Sequence, residues 1–393
     1  MRAEDAAIIA GIAQSKVSRG VPTDPLQLTV DSCLRAIQDA GLDPGAIDGI
    51  SAQPGLVLEL PGMSPVQIGD LRDALGLNLT WFTAAREGPG HLISIVNACA
   101  AIAAGLATNV LCFRTVAESS GRLGRAEGVT TTSSTTLLGR EQYYVPLGGS
   151  SAANLAAVLT RRYMFEYGLT REQLALIPIS QRHNAALNPN AIYQDPLDLD
   201  TYMHARTISS PLCLYDCDVP IDGSVAFVVS QRQRQFDLGH PAIGIAAIGC
   251  ALRDANSWTQ RRDFLSMAAN DAAAMMWGRT SLKPADLDFA QLYDGFSIFP
   301  ILWMESLGLV GRGEAGAYLE DGRHRLSGRL PMNTSGGQLS AGRLHGLGLL
   351  YEACVQLRDE AGERQRVGAE VGVVATGGGP IGGCLLLTRG SSN

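Results

Sequence analysis

No stretch of this 393-residue chain reaches the ~18–20 apolar residues a helix needs to cross a bilayer. The longest candidate, "IVNACAAIAAGLATNVLCF" (95–113), breaks at Gly105 and Asn109 into a helix followed by a strand. No block of basic residues is present either. The 31 Lys and Arg are outnumbered by 38 Asp and Glu, and the net charge of -7 is spread along the chain. That balance argues against nucleic acid or an anionic membrane surface as a partner. Even "RDEAGERQR" (358–366) is interrupted by acids and reads as a solvated helix end. Paired cysteines are missing as well. Eight cysteines are scattered singly, and Cys213 and Cys217 in "PLCLYDCD" have no second pair to complete a zinc site. Mostly buried, reduced thiols in a cytoplasmic protein are expected. The opening "MRAEDAAIIAGIAQSK" carries acids and too short an apolar run for a secretory signal, so it reads as a first strand.

What is present is a core-forming composition. Apolar residues make up 46 % and charged residues 18 %, enough for two large α/β domains or one duplicated pair. The 45 glycines follow no period, so they should serve turns and close backbone approaches. Residues 7–12 read as a buried strand. Residues 24–40 carry Leu26, Val30, Cys33, Leu34 and Ile37 at helical spacing, with Gly41 as the stop. "LDPGAIDGI" (42–50) turns into a second strand. Residues 90–105 form a helix apolar nearly all round, expected to be buried on every side, and feed a strand over 109–115.

After Pro241 the order returns: a strand over 242–249, a helix over 263–277, "LKPADLDFAQL" (282–292) echoing 42–50, a helix over 344–357 and a strand over 371–375. A βαβ unit used twice predicts two similar halves, 1–240 and 241–393, with mostly parallel sheets and helices meeting in the middle. Residues 118–151, rich in Ser, Thr and Gly, read as a long functional loop or cap.

This duplicated layout resembles the thiolase superfamily, in its lipid-transfer-protein or sterol-carrier-protein branch. The similarity rests on five stretches in order: "FEYGLTREQLALIPISQRHNAALNPNA" (165–191), "ISSPLCLYDCDVPIDGSVAFVVS" (208–230), "LYDGFS" (292–297), "NTSGGQLSAGRLHG" (333–346) and "ATGGGPIGG" (375–383). It implies a five-layered αβαβα fold, a loop domain over about 116–207 within the first half, and a homodimer pairing through the strand at 109–115. It also implies a CoA thioester as substrate, no further cofactor, and a small OB-fold, zinc-ribbon partner protein.

The departures from the family direct the chemistry. The nucleophilic cysteine of a thiolase should fall near Gly88, and the second cysteine where Ala375 stands. Cys99 lies inside the apolar helix as a core thiol. Without a thiolate there is no route to an acyl-enzyme, so thiolysis and Claisen condensation are disfavoured. The resemblance leaves an oxyanion pocket, with His345 or Arg343 as donor and the backbone of Gly377, Gly378 and Gly379 approaching the ligand. Tyr293 and Asp294, after a strand, face the same pocket as candidates to move a proton. A tyrosine there is similar to the steroid side-chain acyl-CoA aldolases, which cleave a β-hydroxyacyl-CoA without a covalent intermediate. Those enzymes carry a second tyrosine where this chain reads Ser340-Ala341-Gly342, and His345 or Tyr351 are the available substitutes. The expectation is a carbon–carbon lyase acting on acyl-CoA. A non-catalytic acyl-CoA or lipid-binding scaffold and an acyltransferase with another nucleophile are the alternatives.

Overall fold

The computed structural model describes residues 2–52, 62–85, 92–121, 139, 141–149, 151–253 and 263–390. The first half opens with strand β1 (Ala7–Gln14), seven of whose eight residues are buried. Helix α1 (Pro25–Asp39) follows, its start set by Pro25 and by the Asp24 carboxylate accepting the Leu26 amide at 2.9 Å. Strands β2 (Gly49–Ala52), β3 (Trp81–Ala84) and β4 (Asn109–Ala117) come next, with helices α2 (Ile68–Leu75) and α3 (Ile93–Ala103) between them. After helices α4 (Ala152–Tyr167) and α5 (Arg171–Ala186) and the hairpin β5 (Thr207–Ser209) and β6 (Leu212–Cys213), strand β7 (Asp222–Gln231) closes the half.

The second half repeats the plan. Strand β8 (Ile243–Leu252) leads to helix α6 (Ala268–Trp277), strand β9 (Phe289–Leu292), helix α7 (Ile298–Ser306), the one-turn helix α8 (Gly337–Ser340), helix α9 (Leu347–Leu357), and strands β10 (Val371–Gly377) and β11 (Ile381–Arg389). The strands run in the order β3-β2-β4-β7-β1-β8-β11-β10-β9, and only two residue pairs, Ile8 with Gly244 and Ile9 with Ile243, join β1 to β8. Reading outward from that seam, β1-β7-β4-β2 matches β8-β11-β10-β9, down to the parallel pairs β2/β4 and β9/β10.

The halves are mixed rather than mostly parallel, which corrects the reading from sequence. Strands β7 and β11 run antiparallel to both neighbours. The β10–β11 connection is too short for a crossover helix, so a hairpin and an antiparallel pair are the only outcome.

Burial separates five layers. One core holds α1 and α2 against the outer face of the first half, another holds α6 and α7 against the outer face of the second. Between the half-sheets lie α3 and α9, packed with residues from both halves such as Ile9, Val110, Phe227, Ile245, Val374 and Leu387. The same glycine device recurs on both outer faces. A Cβ on Gly11 of β1 would lie 2.1 Å from the Ala36 carbonyl oxygen of α1, and one on Gly249 of β8 would lie 2.0 Å from that of Ala272 on α6. Each helix seats against its sheet only because the strand offers no side chain there.

Two further expectations are corrected. Helix α9 is buried nearly all round, but α3 leaves Ile93, Val96 and Asn97 half-buried and Ala100 and Ala103 exposed along one side. Strand β4 is flanked by β2 and β7, so its backbone groups are already paired and it cannot pair with a second copy. Among the described residues the open edge on that side is β3, where Phe82 is 67 % exposed.

Candidate active site

The parallel strands β9 and β10 end side by side, and the chemistry-bearing residues follow them. Asn333, at φ 46°, finishes the ladder of β9 with its side chain: Oδ1 accepts the Leu292 amide at 2.7 Å and Nδ2 donates to the Leu292 carbonyl at 2.8 Å. That clamp sets the exit of Tyr293, whose own amide donates to the Ala375 carbonyl at 2.8 Å. The Tyr293 ring packs on Phe299 at 5.9 Å between centroids and folds back over Gly295, where a Cβ would meet the phenol oxygen at 2.9 Å.

Asp294, the next residue, points elsewhere. Its Oδ2 accepts the amides of Gln338 at 2.8 Å and Leu339 at 3.3 Å at the start of α8. A Cβ on Gly337 would strike that oxygen at 2.0 Å. Asp294 is fully buried and holds α8 against β9; it does not line the cleft described below. Burial raises its carboxyl to about 7, above an unfolded value of about 3.9. The proton is held more tightly in the folded state, so its contribution to stability is fully present below about pH 4 and is lost as pH rises through 7. An uncharged amide suits this position. The oxygen of Asp294→Asn can take both backbone donors, and its nitrogen meets the Gln338 side chain, whose amide turns over to present Oε1, a group without a partner among the described residues. Asp294→Asn should therefore fold, flatten stability between pH 4 and 7 by up to about 4 kcal/mol, and turn over near the wild-type rate. Denaturant titrations across that window, with steady-state rates, check both parts.

An extended segment, Cys217 to Pro220, threads between these elements. Asp218 donates its amide to the Gly295 carbonyl at 3.2 Å, the Val219 amide donates to Gln338, and the Arg343 amide donates to Val219. Their side chains meet in a buried ionic cluster. Arg343 Nη1 donates to Asp218 Oδ1 at 2.9 Å and Nη2 to Glu118 Oε2. His345, at φ 50°, places Nε2 3.4 Å from Glu118 Oε1 and Nδ1 2.8 Å from Arg114 Nη2. A guanidinium only donates, so Nδ1 is the acceptor and the imidazole proton sits on Nε2. Burial, helped by the positive charge of Arg343, lowers Arg114 to about 10, still cationic at neutral pH. The Tyr293 phenol is pushed up, first by burial and then by the negative charge of Asp218, so it keeps its proton.

Asp218 and Arg343 of this cluster line a cleft of about 810 Å³ whose walls also include Arg182, Tyr193, Tyr215 and Phe296, while Tyr293, Glu118, Arg114 and His345 are not on its wall. Arg182 stacks 4.8 Å from the Tyr193 centroid and 5.7 Å from that of Tyr215, leaving a cationic, aromatic wall.

Comparisons with known proteins agree with this architecture. A family model described as thiolase C-terminal domain-like matches residues 251–384. Over 387 residues the chain is 32 % identical to a 17-hydroxy-3-oxo-4-pregnene-20-carboxyl-CoA lyase of Mycobacterium tuberculosis, covering 97 % of this chain and 98 % of that protein. It is 33 % identical over 390 residues to a steroid side-chain-cleaving aldolase of Thermomonospora curvata, covering 97 % of each. The chain belongs to the thiolase superfamily. A solved structure described as an Ltp2-ChsH2(DUF35) aldolase superposes on it with a TM-score of 0.87 at 30 % identity, covering 98 % of both chains.

Against a thiolase, the thiols of this superfamily member are inert. Gly88, at the place of the first cysteine, lies outside the described residues, and Ala375 is buried inside β10. Cys99 and Cys354 are fully buried and pushed up to about 12. Cys217 does line the cleft, yet burial and the flanking charges of Asp216 and Asp218 push it up to about 12 too, so a thiolate is scarce.

Gly377, Gly378 and Gly379 all have positive φ and turn β10 into β11, with the Gly378 amide donating to the Ile381 carbonyl at 3.1 Å. A Cβ on Gly378 would strike the Phe299 ring at 2.7 Å, so the run packs behind the ring that supports Tyr293. Tyr351 lies by a separate cavity of about 280 Å³ with Gln14 and Asn190 and is not brought to Tyr293. Sequence reasoning missed Arg114, Glu118 and Asp218. The signal for Arg114 was available: a charge inside the buried strand "NVLCFRTVA" needs a partner.

Proposed function

We propose that this chain is an acyl-CoA carbon–carbon lyase that cleaves a β-hydroxyacyl-CoA, a steroid side-chain thioester, by a retro-aldol reaction. The observation that carries the reading is an Arg343 and Asp218 pair on the wall of a thioester-sized cleft, joined through Glu118 to His345 and Arg114 and with its charges acting on the protonated phenol of Tyr293, without an ionised thiol among the described residues. The end-to-end similarity to proteins named as steroid side-chain lyases and aldolases supports it.

The β-hydroxyl loses its proton, the Cα–Cβ bond breaks, and the electron pair passes to the thioester as an enolate. Hydrogen-bond donors at the oxyanion lower that barrier. Arg343 on the cleft wall supplies them, with the Nε2–H of His345 beside Glu118 in the same cluster. Tyr293 then returns a proton to Cα. The substrate carries its own CoA, and each step uses side chains of this chain. The two halves, the loop domain over about 116–207 and a cytoplasmic location belong to the same reading.

Incubation with a bulky β-hydroxyacyl-CoA tests it. A ketone or aldehyde and a shorter acyl-CoA are expected. Binding without turnover would make the chain a scaffold, and a trapped acyl-enzyme would make it a transferase.

A homodimer belongs to this reading, formed through the β3 edge. An exposed strand edge carrying Phe82 is an aggregation hazard unless a second copy covers it. Sedimentation of a stable monomer at micromolar concentration would remove the dimer. A small OB-fold, zinc-ribbon protein is the second expected partner, supported by the DUF35 component named in the similar aldolase structure.

A further inference from the structure

A retro-aldol cleavage has two proton transfers, one from the β-hydroxyl and one to Cα, and Tyr293 accounts for one of them. We propose that Asp218 is the catalytic base that takes the β-hydroxyl proton, leaving Tyr293 to protonate Cα. The assignment rests on the lyase reading above.

Elimination among the carboxylates comes first. Asp294 is fully buried, with Oδ2 on the amides that open α8 and Oδ1 on the Gln338 side-chain amide at 3.4 Å. Glu118 lies behind Arg343 and does not line the cleft. Asp195 lines the cleft but is exposed at its mouth, where water would compete for the proton. Asp216 is fully buried and accepts the Tyr202 hydroxyl at 2.8 Å and the Cys213 amide at 2.8 Å. Asp218 alone among these lies on the cleft wall with a side chain that is only 9 % exposed.

Position supports the same assignment. The Asp218 amide is bonded to the Gly295 carbonyl, and the Tyr293 phenol lies over the Cα of that same glycine. The Asp218 backbone and the Tyr293 phenol therefore meet the same residue, and the charge of Asp218 is the largest single charge acting on Tyr293. Arg343 Nη1 on Oδ1 fixes how the carboxylate is turned.

The step balances. The O–H bond of the substrate breaks, its proton goes to Asp218, and its electron pair becomes the carbonyl π bond. The Cα–Cβ pair moves into the thioester enolate. The enolate takes the Tyr293 proton to form the new Cα–H bond and leaves a phenolate. Asp218 then passes its proton to that phenolate, and both groups return to their starting forms.

The test uses the full chain, with its partner protein if activity requires one, and the β-hydroxyacyl-CoA it cleaves. Asp218→Asn keeps an oxygen for Arg343 but no basicity. Turnover should fall by about two to four orders of magnitude while the dissociation constant for the acyl-CoA product stays within about threefold. The residual rate should rise about tenfold per pH unit above neutrality, as hydroxide substitutes for the missing base, where the wild type is flat. Asp218→Glu, which preserves the charge on Arg343, should turn over at least about tenfold faster than Asp218→Asn and also serves if that variant does not fold. An Asp218→Asn enzyme within tenfold of wild type overturns the assignment, as does a residual rate that follows the wild-type pH profile. So does a tenfold loss of acyl-CoA binding, which would make Asp218 a binding residue, or an Asp218→Glu enzyme no faster than Asp218→Asn. A wild-type protein that cleaves no β-hydroxyacyl-CoA removes the lyase reading and this assignment together, whereas cleavage that ignores Asp218 removes only the latter.

Discussion

Tyr293→Phe should lower turnover by about two to four orders of magnitude, the usual contribution of a positioned acid or base. The substitution removes one oxygen and leaves the ring. The ring carbons over Phe299 and Gly295 remain and only the phenol oxygen over Gly295 is lost, so the fold should be little disturbed. Affinity for the acyl-CoA should barely move, because most of it comes from the CoA portion. The loss belongs to the chemical step: a phenol that burial and Asp218 hold protonated is a donor, and phenylalanine cannot donate. Single-turnover rates and a dissociation constant measured on the same preparation check the split. A Tyr293→Phe enzyme cleaving at near wild-type rate, beside an inactive Asp294→Asn, would transfer the role to the aspartate.

Arg343→Met should cost about 3–5 kcal/mol of stability, the typical loss when one partner of a buried ionic group is removed. The guanidinium donates to Asp218 and Glu118 at once, and the carboxylate side chains are only 9 % and 8 % exposed. Methionine fills the space but leaves both negative charges without the cation they pair with. Arg114, hydrogen-bonded to the His345 ring, acts on Glu118 only through its charge. Because the cost lies in stranded charge rather than lost packing, Glu118→Gln in the same chain should recover part of it. A double-mutant cycle on unfolding free energy would then show coupling well above the ~0.5 kcal/mol scatter of independent sites. Additive losses in that cycle would mean that Arg343 serves packing alone.

The local rules of the chain were legible where neighbours in sequence decide the outcome. Asp24 and Pro25 start α1, Gly41 at φ 64° lies just past its end, and the echo of 42–50 in 282–292 is a short turn into β2 and β9 in both halves. The start of the second central helix shifted from 344 to Leu347 because His345 and Gly346 adopt left-handed backbone, which no helical residue does. Strand 109–115 was correctly a strand, but its neighbours were not readable. An interior and an edge strand with both faces covered have the same apolar composition, and only pairing partners distinguish them.

The sequence alone determined the repeated order of elements, the glycines at which helices seat on strands, the missing cysteines and the tyrosine that ends β9. Tertiary structure alone decided what surrounds that tyrosine. Arg114 and His345 stand 231 residues apart, Glu118 and Arg343 225, and Asp218 and Arg343 125. No local pattern records such a meeting, because ion pairs form wherever two sheets and a threaded loop happen to deliver opposite charges. The turn of Asp294 away from Tyr293 has the same origin. Adjacent residues leaving a strand point to opposite sides, and the unpaired amides of α8 lay on the side where Asp294 could accept them.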